Sequence, residues 1–286
     1  MTPHPSHQAT GDIGHMGDIG DRRIEGAGTS ETQWWAQPTL HRLPAVDVHA
    51  LLKGASRLVV VAPHPDDEVL GCGGLLAMAA QAATSSVASA AGGDDHSLEE
   101  SQPVLIGVTD GEASHPDSPQ WTPAELVRQR ACERARGLTA LGSGVSLRLL
   151  RLPDGQVADQ EAQLMQKLAP LLMPDDLVVT TWRRDGHPDH EACGRACAAL
   201  ADRIGFRLLE MPVWMWHWAS PGDVRVPWHQ LVQLPLPEDI RQRKQSALRA
   251  HRSQVEPDGH RPPVLPASAM ERLLRPAEFF FREETE

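Results

Sequence analysis

The apolar positions of this chain gather into short blocks that alternate with helical patterns. Residues 58–62 (Leu-Val-Val-Val-Ala) form a continuous aliphatic run, too short for a helix and suited to a strand buried on both faces. Further strands are predicted over 104–108, 146–152 and 176–181. A helical pattern follows each strand. The first covers residues 70–83 and opens at Val69; the second is launched by the capping box Thr122-Pro-Ala-Glu125 and stopped by Gly142. The third, amphipathic over 159–172, is expected to kink at Pro170 and close at Pro174, and the fourth covers 191–204. Strand, loop and helix thus recur four times. That rhythm predicts an α/β fold, Rossmann-like, with a mostly parallel sheet and helices on both faces.

After Arg207 the pattern changes. Residues 208–218 are apolar, and Trp214, Trp216 and Trp218 alternate, which on a strand puts three indoles on one side. Core packing is the plainer reading and a substrate-facing aromatic wall its rival. Residues 228–234 are predicted as a strand, 237–251 as a basic helix with Ile240 and Leu248 inward, and the proline-rich remainder as extended covering. Phe279, Phe280 and Phe281 are expected to pin the C-terminus to the body. Upstream, residues 44–54 read as a short helix before the first strand. Residues 1–40, where Gly-Asp-Ile-Gly occurs at 11–14 and again at 17–20, read as a disordered leader to a single domain over 41–286. Residues 84–102 read as a polar surface insertion, in which Asp94, Asp95 and His96 look ligand-like but lack a rigid frame.

Composition narrows the function. The 286 residues can bury a sizeable core, and 41% hydrophobic with 23% charged residues is the balance of a soluble globular protein. A net charge of −11 argues against a nucleic-acid surface, which needs a basic face. No apolar run has the length of a membrane span and no signal peptide is visible, so a cytoplasmic location is expected. Cys72, Cys132, Cys193 and Cys197 lack CxxC spacing and read as small buried hydrophobes on helices in a reducing compartment. Arg128, Arg130, Glu133, Arg134 and Arg136 crowd the helix after Thr122, mostly as solvated charges or i,i+4 partners. His251, at a helix end, reads as a cap.

Candidate chemistry sits at two strand ends. His64-Pro-Asp66-Asp67-Glu68 follows the first strand, and His187-Pro-Asp189-His190 follows the fourth. In a parallel sheet both lie at the same edge, where side chains converge without long reaches. Three carboxylates beside a buried strand end cost solvation energy unless a cation or hydrogen bonds compensate. Histidines with carboxylates suit a divalent ion, zinc most often, and two histidines with one carboxylate leave a fourth position for water, the catalytic pattern. A carboxylate that is not a ligand can then take a proton from that water, and a histidine can stabilise an oxyanion or protonate a leaving amine. Which of the neighbouring carboxylates binds and which takes the proton is left open by the residues themselves.

The paired motifs resemble those of the PIG-L or LmbE-like metal-dependent N-deacetylases. The resemblance rests on Ala62-Pro-His-Pro-Asp-Asp-Glu68 and His187-Pro-Asp-His190. It is supported by Thr109-Asp-Gly-Glu112, Arg130-x-x-Glu133, Leu152-Pro-Asp-Gly155 and Ala250-His-Arg-Ser-Gln254, and spans about residues 56 to 254. It implies His64, Asp67 and His190 as metal ligands, Asp66 as general base, and His187 as oxyanion stabiliser and general acid. Asp189 matches a carboxylate that orients a histidine, while Arg130, Asp154 and Glu112 take positions similar to sugar-contacting residues. The implied reaction is metal-dependent, most often Zn2+-dependent, removal of an N-acetyl group from an N-acetylglucosaminyl-type substrate. The implied partner is a small N-acetylated glycoconjugate; self-association into a homo-oligomer is left open. Two rivals stand beside it: a metal-dependent hydrolase of another amide or a phosphoester, and a non-catalytic sugar-binding module.

Overall fold

Val59, Val60 and Val61 are wholly buried, as residues of a strand paired on both edges and covered on both faces must be. They belong to β1 (Arg57–Ala62) of a computed structural model that describes residues 22–89 and 102–282. The other strands are β2 (Val104–Gly107), β3 (Ser146–Leu149), β4 (Asp176–Thr181), β5 (Arg207–Met211), β6 (Leu231–Pro235) and β7 (Ala277–Arg282). They form one sheet in the order β3-β2-β1-β4-β5-β7-β6. β1 to β5 run parallel, and β7 is antiparallel to both of its neighbours. The helices are α1 (Glu31–Trp35), α2 (Pro38–His41), α3 (Val48–Leu52), α4 (Asp67–Ser89), α5 (Pro123–Leu141) and α6 (Glu161–Leu168). They continue with α7 (Pro188–Ile204), α8 (Met215–Trp218), α9 (Glu238–Arg249), α10 (Arg252–Val255) and α11 (Ala267–Leu273).

Alternate residues of β1 feed two cores. Leu58, Val60 and Ala62 pack with Leu75 and Leu76 of α4, Leu141 of α5 and Leu248 of α9. Val59 and Val61 pack on the other face with Leu164 and Leu168 of α6 and Leu200 of α7. Helices therefore cover both faces, as the sequence rhythm requires. β2 and β3 lie to one side of β1 and β4 to the other, so the strand order reverses between β1 and β4. At such a switch point a crevice opens at the carboxyl ends of the strands. Both predicted motifs are delivered there.

Several elements differ from expectation. β5 stops at Met211, Pro212 follows, and α8 makes one helical turn, so the three tryptophans diverge by helical and not strand periodicity. Trp216 enters the core, edge-on to Trp34 at 5.1 Å and to Phe279 at 4.9 Å; Trp218 stacks over Trp182 at 6.3 Å. The expected leader lies outside the described residues up to position 21. From Arg22 on it differs from the expectation: α1 has a complete capping box at Ser30, and Trp34 is fully buried. α4 continues to Ser89, and Asp94, Asp95 and His96 lie outside the described residues. β3 ends early, with Arg151 at φ 53°, although the Leu152 N–H still bonds the Val108 carbonyl at 2.9 Å. The covering after Pro257 includes the helical α11, and β6 is preceded by a 3-10 turn at Trp228–Gln230. Phe279, Phe280 and Phe281 are buried in β7, which ties the C-terminal segment between β5 and β6. Cys72, Cys193 and Cys197 are buried, but Cys132 faces outward on α5.

α4 approaches the sheet closely, which the run Gly71-Cys-Gly-Gly74 permits: a Cβ on Gly71 would fall 2.3 Å from the Met211 sulfur. The helix breaks its regular dihedrals at Cys72 (φ −144°, ψ 23°). The N–H groups of Gly74 and Leu75, just past the break, donate to Glu278 of β7 at 2.6 and 2.8 Å, and Glu278 pairs with buried Lys244 of α9 at 2.7 Å.

Candidate metal centre and active site

Local backbone chemistry sets each motif. After β1, the Asp67 carboxylate turns back to accept from the His64 N–H at 2.9 Å, which fixes the loop and brings its Oδ2 within 3.1 Å of His64 Nδ1. After β4, the chain turns at Gly186 with φ 96°, where a Cβ would also strike the Trp218 indole at 2.9 Å, so glycine serves both the turn and the close approach. His187 then caps α7, Pro188 opens it, and His190 falls in its first turn.

Three donor atoms meet. His64 Nδ1 lies 3.1 Å from Asp67 Oδ2, His190 Nε2 lies 3.3 Å from the same oxygen, and the two nitrogens are 3.3 Å apart. A tetrahedral zinc site with bonds of about 2.0–2.1 Å has donor separations of about 3.3 Å. The triangle therefore fits such an ion. Its outer contacts fit as well. His190 Nδ1 lies 2.9 Å from Asp185 Oδ2, and His64 Nε2 lies 3.1 Å from Asp154 Oδ1 and 3.4 Å from Asp189 Oδ2. Each imidazole thus has a carboxylate on its far nitrogen, leaving the near nitrogen as a lone pair directed into the triangle. A second grouping, His64, His187 and Asp189, also places donors within 4.8 Å. It is already engaged: His187 Nδ1 accepts from the Asp189 N–H at 3.2 Å, and the Asp189 oxygens accept from Gly155 and Val157 N–H at 2.8 and 3.1 Å.

The electrostatics agree. Burial works against charging His190, yet Asp67 and Asp185 raise its pKa to about 9. His64 is likewise pulled down by burial and carried well above its ordinary value by Asp154, Asp189 and Asp67. Asp67 resists burial and is held well below the carboxylate range by His190 and His64. A field that holds protons on two buried imidazoles is one that welcomes a cation. Asp66 behaves differently: burial raises its pKa despite the opposing charge of Arg130, whose Nη2 lies 3.1 Å from its Oδ1. His187 has its pKa pushed down to about 3 by burial and by its neighbours His190 and His64.

His64, Asp66, Asp67, His187 and His190 floor a cavity of about 360 Å³. Its polar wall includes Ser114, Arg130 and Asp154, and its apolar wall includes Ile24, Trp214 and Leu265. A model of the GlcNAc-PI de-N-acetylase family, PIG-L, matches residues 59–201, half of the chain, including both strand-end motifs. The chain belongs to the PIG-L family.

Solved structures agree on the fold. The N,N'-diacetylchitobiose deacetylase from Pyrococcus horikoshii, complexed with its inhibitor MPG, is 18% identical with a TM-score of 0.55, over 88% of this chain and 92% of that one. The conserved protein TT1542 from Thermus thermophilus is 24% identical, TM-score 0.52, over 79% and 94%. The zinc-inhibited form of teicoplanin deacetylase Orf2 is 19% identical, TM-score 0.52, over 80% and 100%. No curated protein matches this chain significantly. Among the described residues, no helix of this PIG-L family chain is long and apolar enough to cross a membrane.

The PIG-L site brings together His64, Asp66, Asp67, His187, Asp189 and His190, and further residues surround them. Of the expected sugar contacts, Asp154 lines the cavity and touches the His64 ring, and Glu112, outside the cavity lining, accepts from the Asp154 N–H at 2.9 Å. Arg130 lines the cavity but is tied to Asp66 and to the Gly111 carbonyl. Arg130, Glu133 and Arg134 are buried, not solvated, because α5 packs its charged stripe against the site: Arg134 pairs with Glu68 at 3.2 Å, and Glu133 accepts from the Ser253 N–H and hydroxyl at 2.8 and 2.7 Å. His251 is fully buried against Gly137 of α5, and although it stands at the N-cap of α10 its side chain makes no cap bond. Asp185 was missed altogether, although it stands five residues before His190 in the same loop. Ile24 fell inside the expected leader, where no periodic signal marks it.

Proposed function

We propose that this protein is a metal-dependent, most readily zinc-dependent, N-deacetylase that releases acetate from N-acetylated amino sugars. The observation that carries the reading is that Asp66 stands beside the donor triangle but outside it, on the same cavity floor as His187. Family membership supports the reaction class, and two imidazoles with one carboxylate support zinc. A zinc-inhibited relative is consistent with a zinc-binding site of this kind. A divalent ion held by His64, Asp67 and His190 supplies Lewis acidity, polarising an amide carbonyl and acidifying a water.

The chain's own groups do the rest. Asp66 takes the proton of the attacking water, with Arg130 holding the carboxylate in place at 3.1 Å. His187 Nδ1 accepts a backbone N–H, so in the neutral ring the proton sits on Nε2, a donor for the oxyanion as the carbonyl becomes tetrahedral. A neutral imidazole that surrendered that proton would become an anion. The general-acid part expected of His187 therefore passes to Asp66, which returns the proton it took to the departing nitrogen. The test is acetate release from a panel of N-acetylated amino sugars by metal-loaded and chelator-treated protein, with phosphoesters alongside. Turnover of phosphoesters but not amides, or turnover indifferent to chelation, rejects the reading.

A further inference from the structure

The cavity over the donor triangle has two unlike halves, and the strand order separates them. Ser114 and Asp154 come from the loops after β2 and β3, to one side of β1, and Arg130 of α5 joins them through the Gly111 carbonyl. Trp214 comes from the loop after β5, on the opposite side, with the triangle of the β1 and β4 loops between. Ile24 stands with Trp214 because the segment that carries it is strapped to α7 and α8. Arg22 pairs with Glu191 at 3.1 Å, and His217 Nε2 donates to the Glu25 carbonyl at 3.2 Å. Thr29 donates its N–H to the His217 carbonyl and its hydroxyl to the Ala219 carbonyl, at 2.9 and 2.6 Å. Arg272 of α11 completes the strap, donating to the Thr29 carbonyl at 2.8 Å and to His217 Nδ1 at 3.0 Å, which leaves the ring proton on Nε2.

The apolar half is open to a ligand. Ile24 and Trp214 are only half-buried, and Val264, which lines the same half with Leu265, is exposed. All four lie outside residues 59–201, the stretch that the PIG-L family model matches, whereas the triangle and the polar half lie inside it. The apolar half is therefore where this chain can set a substrate preference of its own. An amide carbonyl placed over the triangle carries its amino sugar on one flank and its acyl group on the other. The sugar hydroxyls match Ser114, Arg130 and Asp154, so the acyl group falls against Ile24, Trp214 and Leu265. A methyl group covers little of that surface. Each further methylene buried against it adds to binding, and about 360 Å³ is room for a whole small ligand.

We propose that the protein is an N-deacylase that prefers propanoyl and butanoyl amides of an amino sugar to the acetyl amide, with Ile24 on the strap setting that preference. The proposal rests on the deacetylase reading for the placement of the amide, and the reaction is the same hydrolysis. The water oxygen bonds the acyl carbon, the C–N bond breaks, and both water protons end on the nitrogen, giving an ammonium and a short-chain carboxylate. The test compares kcat/KM for N-butanoyl- and N-acetylglucosamine in metal-loaded wild type, Ile24→Ala and Ile24→Leu. Wild type should favour the butanoyl amide about tenfold, Ile24→Ala only about threefold, and Ile24→Leu should keep the wild-type ratio. A ratio does not depend on the fraction of enzyme that is folded. A wild-type ratio at or below one, or a ratio that Ile24→Ala leaves unchanged, overturns the proposal. In parallel, calorimetry would measure binding of both amides to metal-loaded Asp66→Asn protein, with and without Ile24→Ala. If neither amide is hydrolysed but the butanoyl amide binds more tightly and Ile24→Ala narrows the margin, the deacetylase reading fails and the acyl wall stands. Equal binding of the two amides, or none, rejects the wall whatever the catalytic result.

Discussion

Asp185 Oδ2 lies 2.9 Å from His190 Nδ1, and the two oxygens of Asp185 also accept the N–H groups of Val213, Trp214 and Met215, each at 2.9 Å. One carboxylate thus orients a histidine of the donor triangle and anchors the start of the tryptophan-rich turn that walls the cavity. Asp185→Asn keeps the shape but replaces an anion with a neutral amide. Metal affinity should fall by about 10- to 100-fold, as loss of such outer partners does elsewhere. Competition against a fluorescent chelator reads this directly, and unchanged affinity would show that His190 needs no such partner.

Asp66→Asn separates binding from chemistry. The amide retains the size of the carboxylate beside Arg130 but cannot take a proton, so kcat should drop by about 10²- to 10⁴-fold with metal content unchanged. His190→Ala should do the opposite in order, losing the metal first and activity with it. Elemental analysis of both variants beside their acetate-release rates checks the division of roles. A metal-free Asp66→Asn protein would move that residue into the ligand set.

β1, β2 and β4 and their loops were legible because short aliphatic runs punctuated by polar residues at strand ends have few other readings, and the motifs of the donor triangle stand next to them in sequence. Asp185 was not legible, since its partners Val213–Met215 lie nearly thirty residues away and nothing local distinguishes it from Asp189. Arg130 and Arg134 looked like ordinary helix charges because their counter-charges, Asp66 and Glu68, belong to another element. The tryptophan run misled for a different reason: period 2 over five residues also fits one turn of helix once Pro212 has ended the strand. Trp34 and Ile24 were hidden by the polar composition around them. A single capping box and one buried indole suffice to order a segment that composition alone assigns to a tail.

The Glu278 carboxylate should matter to stability far more than its place on the last strand suggests. It takes two N–H groups freed where α4 breaks at Cys72 and neutralises Lys244, which is 1% exposed. Glu278→Ala leaves a buried ammonium and two buried donors without partners, and the expected loss is about 3–5 kcal/mol. Urea denaturation at neutral pH measures it. A loss below about 1 kcal/mol would mean that water or a neighbouring group replaces the carboxylate.

His251 makes stability depend on pH in a definite direction. Burial, aided by the positive charge of Arg130, lowers its pKa to about 3, against an ordinary value of 6.5 in the unfolded chain. Between those values the unfolded chain binds a proton at this site and the folded protein does not, so folding stability falls as the pH falls through the window. The contribution is nil well above pH 6.5 and reaches about 1.4 kcal/mol of lost stability one unit below it. His251→Gln removes the titration, so wild type should lose about 1.4 kcal/mol more than the variant between pH 7.5 and 5.5. The comparison cancels the carboxylates and other histidines, which titrate in both proteins. Equal losses from urea melts at the two pH values would place a proton on His251 in the folded state, contrary to its burial between α5 and the loop after β1.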